Sequence, residues 1–336
     1  MKNTSFNIRN IDRAIWETEL ENFVPSRIFD FHTHLWAEKH KGRNRNNTSP
    51  LRMEVNMKTL RKISEKIFPD RQIDFLALGT PLKNIDMDAH NSWVAGEVIK
   101  EKKSYAGMVV TPEMSPDYLE KQVKKYAFKI LKPYRVFAKD PANSRIKDFL
   151  PEPVIDMANS LALGIVLHIS KKSGINDKYN LNDLREYTKK YPLVQWVLAH
   201  CARAFNPFTL EKAIHELKDI PNIWYDTSAV NDLYSHIILL RHENIKRIMF
   251  GSDNVAAGCM RGKYITYAHA WEGYKGNVSL EHCNPEPTFV IYEQLRAQRQ
   301  AAEILGLGPE AIKDIFYNNA QSFFKCLKMK GKTKHE

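Results

Sequence analysis

Short apolar runs alternate with amphipathic stretches along most of the chain. The runs at 27–35, 73–79, 105–110, 127–132, 164–169, 194–200, 222–228 and 247–253 have the length and content of strands. The fifth, Gly164-Ile165-Val166-Leu167-His168-Ile169, is nearly all apolar, as a strand buried on both faces should be. Between the runs, helical spacing of apolar residues predicts helices over 58–67, 88–102, 116–126, 152–163, 182–191, 209–217 and 232–241. Ser115-Pro116 reads as an N-cap followed by proline at the first helical position. A short helix is predicted over 11–23, ended by Pro25, and two helices close the chain over 286–305 and 309–324. The stretches 38–52 and 254–276 read as loops, the first of them basic.

Strands that alternate with helices pair in parallel through right-handed crossovers. Eight such units predict an α/β fold of the closed (β/α)8 TIM-barrel type. An open doubly wound sheet fits less well, because no Gly-x-Gly-x-x-Gly follows the first strand. The expected organisation is a single domain over 1–336. Its barrel core runs over 27–255, its C-terminal helices over about 280–325, and a basic tail over 327–336.

A hydrophobic content of 43% is enough for a large core, and the formal charge is +11. A basic surface suits nucleic acid, an anionic membrane face or an acidic small molecule. No Lys/Arg block interleaved with aromatics favours nucleic acid, and none is expected as a partner. Part of the charge lies in Lys328, Lys330, Lys332 and Lys334, which read as a solvated tail. The cysteines Cys201, Cys259, Cys283 and Cys326 are too scattered for a zinc knuckle or a disulfide framework. Residues 1–20 contain no apolar signal core, and no stretch is long and apolar enough to span a bilayer. A cytoplasmic protein without a membrane partner is expected, with a homodimer as the default assembly.

The chemistry collects at strand ends. His32 and His34 close the first strand, and alternation puts them on one face, with Asp30 one step deeper. Two imidazoles so placed can grip a divalent metal, or they can be the polar exit of a half-buried strand. Lys132, His168, His200, Asp226 and Asp253 end strands four to eight. In a barrel that is the active-site end, and histidines after Ile-Val-Leu and Trp-Val-Leu-Ala are costly to bury unless used or hydrogen-bonded. Arg135 and Arg203 follow strands four and six and could clamp a carboxylate. Tyr134 and Lys132 are further candidate substrate contacts, and Trp36 and Trp271 are candidate pocket walls. Arg261 is ambiguous in the same way, His269 reads as structural, and Cys201 reads as a small buried residue. The remaining histidines, His40 and His90 among them, fall on predicted helices and loops and receive no role.

Phe29-Asp30-Phe31-His32-Thr33-His34-Leu35, the strand-end His168, Leu198-Ala199-His200-Cys201, Phe250-Gly251-Ser252-Asp253 and the closing Ile315-Phe316-Tyr317-Asn318-Asn319-Ala320 together resemble the amidohydrolase superfamily of metal-dependent barrel hydrolases. The best match is the amidohydrolase-2 branch, which holds aminocarboxymuconate-semialdehyde decarboxylase and dicarboxylate lactonases. The resemblance implies that His32, His34, His168 and Asp253 hold one divalent metal, zinc first and manganese second. It implies catalytic roles for Asp253 as base and His200 as general acid/base or carbonyl polariser. The implied activity is hydrolysis of an amide, lactone or ester in a small anionic substrate through a metal-activated water. The alternative is non-oxidative decarboxylation of a small carboxylic acid at the same site. Lys132 stands where two-metal members of the superfamily carry a carbamylated lysine, and it reads here as a substrate or structural lysine.

Overall fold

The apolar runs pair in parallel, in sequence order, as β1 (Arg27–Leu35), β2 (Gln72–Gly79), β3 (Tyr105–Val110), β4 (Ile130–Pro133), β5 (Gly164–Leu167), β6 (Gln195–Leu198), β7 (Ile223–Asp226) and β8 (Ile248–Met249). The last strand returns to the first. Phe31 N donates to Phe250 O (2.9 Å), Asp253 N to His32 O (2.8 Å) and His34 N to Asn254 O (2.6 Å). The sheet thereby closes into the expected (β/α)8 barrel. This computed structural model describes residues 6–40, 54–255, 257–262 and 286–332.

Helices cross between strands at Met57–Ile67, Met87–Val98, Pro116–Tyr126, Glu152–Ser160, Lys178–Lys190, Pro207–Leu217 and Leu233–His242. Asn56, Asp86, Ser115, Asp177 and Asp232 cap five of them by accepting first-turn N–H groups. The predicted N-terminal helix is split into Asn10–Ile15 and a π-helical turn, Trp16–Leu20. None of the described helices is long and apolar enough to cross a membrane.

Several strands are shorter than their apolar runs. The fourth begins at Ile130 because Ala127 takes a left-handed conformation (φ 55°) and caps the preceding helix. The sixth stops at Leu198, and the eighth is a two-residue strand prolonged only by its bonds to β1. The late start of β4 comes from a helix cap that hydrophobicity alone does not mark.

Two apolar layers form. One lies between the sheet and the surrounding helices. The other fills the barrel interior with Phe29, Phe31, Leu78, Ile130, Val166 and Val197. The N-terminal mouth is stoppered by the last helix, Asn319–Lys332, whose Phe323 meets Phe31 edge-on (5.1 Å) and whose Phe324 stacks on Tyr105 (3.8 Å). This helix passes the predicted end at 324 and runs through the stretch expected to be a tail, because Leu327 continues its buried face. Only 333–336 of that tail lie outside the described residues. With Phe323 fully buried, Phe323→Ala is expected to cost about 3–5 kcal/mol. The check is urea unfolding, read as a lower midpoint with an unchanged slope.

Candidate active site

The C-terminal mouth of the barrel carries the polar residues. A bulge in β1 sets it up. The pairing moves from Asp30↔Phe75 to Thr33↔Ala77, so three steps on β1 match two on β2. Phe29 and Phe31 face the apolar interior, and after the bulge His32 and His34 face the mouth. Asp30 is not on the histidine face as simple alternation predicted. It lies on the opposite side, where Ser252 donates to it through both N (2.9 Å) and Oγ. Gly251 lets β8 approach this closely, since a Cβ there would lie 2.9 Å from His32 Cβ.

Four histidines converge, and each has Nδ1 committed to an oxygen. His32 Nδ1 donates to Asp226 Oδ2 (2.9 Å) and His34 Nδ1 to Gly79 O (3.3 Å). His168 Nδ1 donates to Ile169 O (3.1 Å) and His200 Nδ1 to Ser228 O (2.9 Å). Such bonds fix the tautomer and leave Nε2 as the nitrogen for a ligand. The Nε2 atoms of His34 and His32 lie 3.2 and 3.9 Å from Asp253 Oδ1. The ring of His200 stacks on His32 at 5.0 Å, and His168 packs edge-on to His200 at 5.1 Å.

Behind this group, Asp226 organises two strands. Its Oδ2 takes the His32 proton, and its Oδ1 accepts from His200 N (3.1 Å), Ser228 N (3.1 Å) and Ser228 Oγ. Burial opposes ionisation of Asp226, but His32, His200 and Ser228 hold it well below the ordinary carboxylate range. Asp253 follows the same pattern: burial pushes it up, while the surrounding imidazoles of His34, His32 and His200 hold it well below that range. Burial and the nearby Lys132 push His32 down to about 4, so the ring stays neutral.

After β6 the chain makes a left-handed turn, with φ between 51° and 61° from His200 to Arg203. Each such residue costs roughly 1–2 kcal/mol. The turn places His200 at the mouth and carries Arg203 to Lys171 O, and the bond from His200 N to Asp226 anchors it. It explains why the strand predicted to reach His200 ends two residues earlier.

Lys132 is fully buried, with Nζ 3.2 Å from His32 Nε2, and burial lowers its pKa to about 8 against the pull of Asp226 and Asp253. Tyr134 lies over His168 at 4.7 Å. Arg135 Nη1 donates to Pro141 O (2.8 Å), and its buried Nε has no partner among the described residues. Arg203 donates to Lys171 O. The two guanidiniums are near enough for Arg135, after burial, to lower the Arg203 pKa. A cavity of about 300 Å³ opens beside them, bounded by Tyr134, His168, His200, Phe205, Asp253 and Met260 among others, and Lys132, Arg135 and Arg203 are not among its lining residues.

Two expectations need correction. Trp36 is not a pocket wall: it is buried (2% exposed), donates Nε1 to Glu38 and packs on His90. Arg261 turns away, pairing with Asp12 and lying over the Phe289 ring. Trp271 and His269 lie outside the described residues. The anchoring roles of Asp226 and Ser228 escaped sequence reasoning. The only signal was the polar end of β7, Asp226-Thr227-Ser228.

The donor set suits a divalent ion. One ligand atom each from His32, His34 and Asp253 lie within 4.8 Å of one another, and imidazole nitrogen with carboxylate oxygen is a set that zinc and manganese accept. His32, His200 and Asp226 form a second such group. There, Asp226 already accepts four hydrogen bonds and serves as an anchor. His168 belongs to neither group.

Residues 29–326 match the amidohydrolase family model, and the chain belongs to that family. No curated protein matches it. Among solved structures, it is similar to a probable 2-pyrone-4,6-dicarboxylic acid hydrolase from Acinetobacter baumannii with citric acid bound. The TM-score is 0.56 and the identity 12%, over 89% of this chain and 99% of that one. A 5-carboxyvanillate decarboxylase from Sphingomonas paucimobilis has a TM-score of 0.56 at 11% identity, over 90% of this chain and 99% of that one. A 4-oxalomesaconate hydratase from Rhodopseudomonas palustris has 0.53 at 19% identity, over 92% and 100%. These likenesses support the barrel and leave the reaction open.

Proposed function

We propose that this protein is a metal-dependent hydrolase acting on a lactone, ester or amide of a small anionic molecule. The observation that carries the reading is the cluster of imidazole Nε2 atoms around Asp253, at the edge of a cavity that also holds His200. His32, His34 and Asp253 would hold one divalent ion, zinc or manganese, with His168 the further ligand that the resemblance implies. An ion so bound makes water nucleophilic near neutral pH and polarises a carbonyl.

The remaining roles belong to the chain. Asp253 is held ionised, so it can take the proton of the attacking water. His200, tied through Nδ1 to Ser228, presents an unprotonated Nε2 that would accept the proton Asp253 has taken from the water and pass it to the leaving oxygen or nitrogen. Lys132, Arg135 and Arg203 put positive charge beside His168. Two guanidiniums close together favour an anion between them, and their planar donors suit a carboxylate. Phe205 and Met260 give the cavity at His168, His200 and Asp253 an apolar side for the body of the substrate.

The test is turnover of the metal-loaded protein in ¹⁸O-water on a panel of carboxylated lactones, esters and amides and of small aryl and vinyl carboxylic acids. Hydrolysis predicts ¹⁸O in the product carboxylate and no carbon dioxide. Carbon dioxide released without ¹⁸O incorporation would overturn it in favour of non-oxidative decarboxylation, the reaction named for the 5-carboxyvanillate decarboxylase that shares this fold.

A further inference from the structure

His90 lies on the helix Met87–Val98, outside the group just described, and is fully buried. Its Nε2 lies 3.0 Å from Thr80 N. The other end of that same peptide unit is Gly79 O, the acceptor of His34 Nδ1. A peptide unit is planar and rigid, so fixing its N–H fixes its C=O. We infer that His90 is a positioning residue that sets the ring of His34 through the Gly79–Thr80 peptide. The inference rests on the reading of His34 as a metal ligand.

The local structure is built for this contact. Asp86 caps the helix by accepting from Ala89 N (2.9 Å). Asn91 then pins it to β3, donating to Val109 O (2.8 Å) and accepting from Val109 N (3.0 Å). Glycine at position 79 leaves the room: a Cβ there would stand 3.0 Å from both Cδ2 and Nε2 of His90. Trp93 stacks on the imidazole (5.9 Å) and Trp36 leans on it (5.9 Å).

The protons are fixed by elimination. A peptide N–H only donates, so His90 Nε2 is the acceptor and the ring proton sits on Nδ1. That proton is given to His40 Nδ1 at 3.1 Å, which leaves the His40 proton on Nε2. Burial, followed by the charges of His40 and His34, pushes His90 down to about 3, in keeping with a ring that stays neutral. Thr80 N has a second acceptor in Leu35 O (3.2 Å), and Thr80 Oγ1 donates to the same oxygen (2.8 Å). Those bonds hold the strand end, and His90 adds the contact that orients the peptide toward His34.

The experiment compares the full-length wild type with His90→Leu, His90→Asn and His90→Gln. Leucine removes the acceptor. Asparagine is polar but too short to reach Thr80 N, and glutamine places an oxygen where Nε2 was. Zinc affinity is measured by competition with a chromophoric chelator. Independently, ¹⁵N shifts of the His34 ring report its tautomer in metal-free protein. Expected is a roughly 10–100-fold loss of zinc affinity in the leucine and asparagine variants. In both, His34 moves from a single Nδ1–H form to a mixture, and glutamine restores both readouts. Wild-type zinc affinity and an unmixed His34 tautomer in His90→Asn would overturn the inference. A wild type that binds no zinc would sink the ligand reading instead, while the His34 shifts would still decide whether His90 sets the ring. If His90→Leu does not fold, the asparagine–glutamine pair carries the comparison.

Discussion

Refilled with zinc or manganese and dialysed, the wild type is expected to retain about one ion per chain, and His34→Ala and Asp253→Ala well under half of that. Turnover should fall by at least ~10³-fold in both variants, because an anchor of the ion is lost and Asp253 is also the base. Metal is read by elemental analysis, and turnover on whichever substrate the oxygen-labelling panel yields. His34 and Asp253 are near the cavity and outside the apolar layers. Both variants should therefore keep the wild-type circular dichroism spectrum. Full occupancy with unchanged turnover in either variant would remove that residue from the ligand set.

The same preparation decides the roles of His168 and Lys132. His168 is one ring further out, against His200 and Tyr134. His168→Ala is therefore expected to lower metal occupancy less than His34→Ala does. Lys132 Nζ lies 3.2 Å from His32 Nε2. With a single ion, its ammonium supplies positive charge to the mouth. Two ions per chain would instead call for a carbamate on that nitrogen.

The barrel was legible because parallel strands buried on both faces write themselves as continuous apolar runs, and eight of these, separated by helical spacings, leave few topologies. The strand-end histidines were legible for the same reason, as polar letters closing apolar words. Four features were not. The β1 bulge that separates Asp30 from His32 depends on pairing with β2, which no local pattern encodes. Trp36 beside the histidines suggested a pocket wall. Its antiparallel bridge to Val55 and its contact with His90 turn it inward, and both partners are distant in sequence. The lysines of 328–332 suggested a tail, whereas Phe323, Phe324 and Leu327 carry the helix past them. His90 looked like any histidine on an amphipathic helix. What distinguishes it is one peptide unit, Gly79–Thr80, placed by a strand and not by the helix itself.

Asp226→Asn is expected to have the other large effect, and the reason is a matter of protons. Oδ1 of Asp226 accepts from three donors, His200 N, Ser228 N and Ser228 Oγ, while Oδ2 accepts from His32 Nδ1. An asparagine has one acceptor oxygen and one donor nitrogen. The three donors require the oxygen, so the amide nitrogen must turn toward His32. The imidazole Nδ1 must then accept, and its proton moves to Nε2, the atom that faces Lys132 and Asp253. His32 can no longer offer a lone pair there. Metal affinity is expected to fall by about 10–100-fold and turnover with it, although no proposed ligand has been touched. Losing hydrogen bonds to an ionised carboxylate should also cost about 1.5–3 kcal/mol of stability. The ¹⁵N shifts of His32 give the direct check: an Nδ1–H ring in the wild type and an Nε2–H ring in Asp226→Asn. An unchanged tautomer with unchanged metal affinity would mean that the carboxylate serves the left-handed turn at His200 and not the ring of His32.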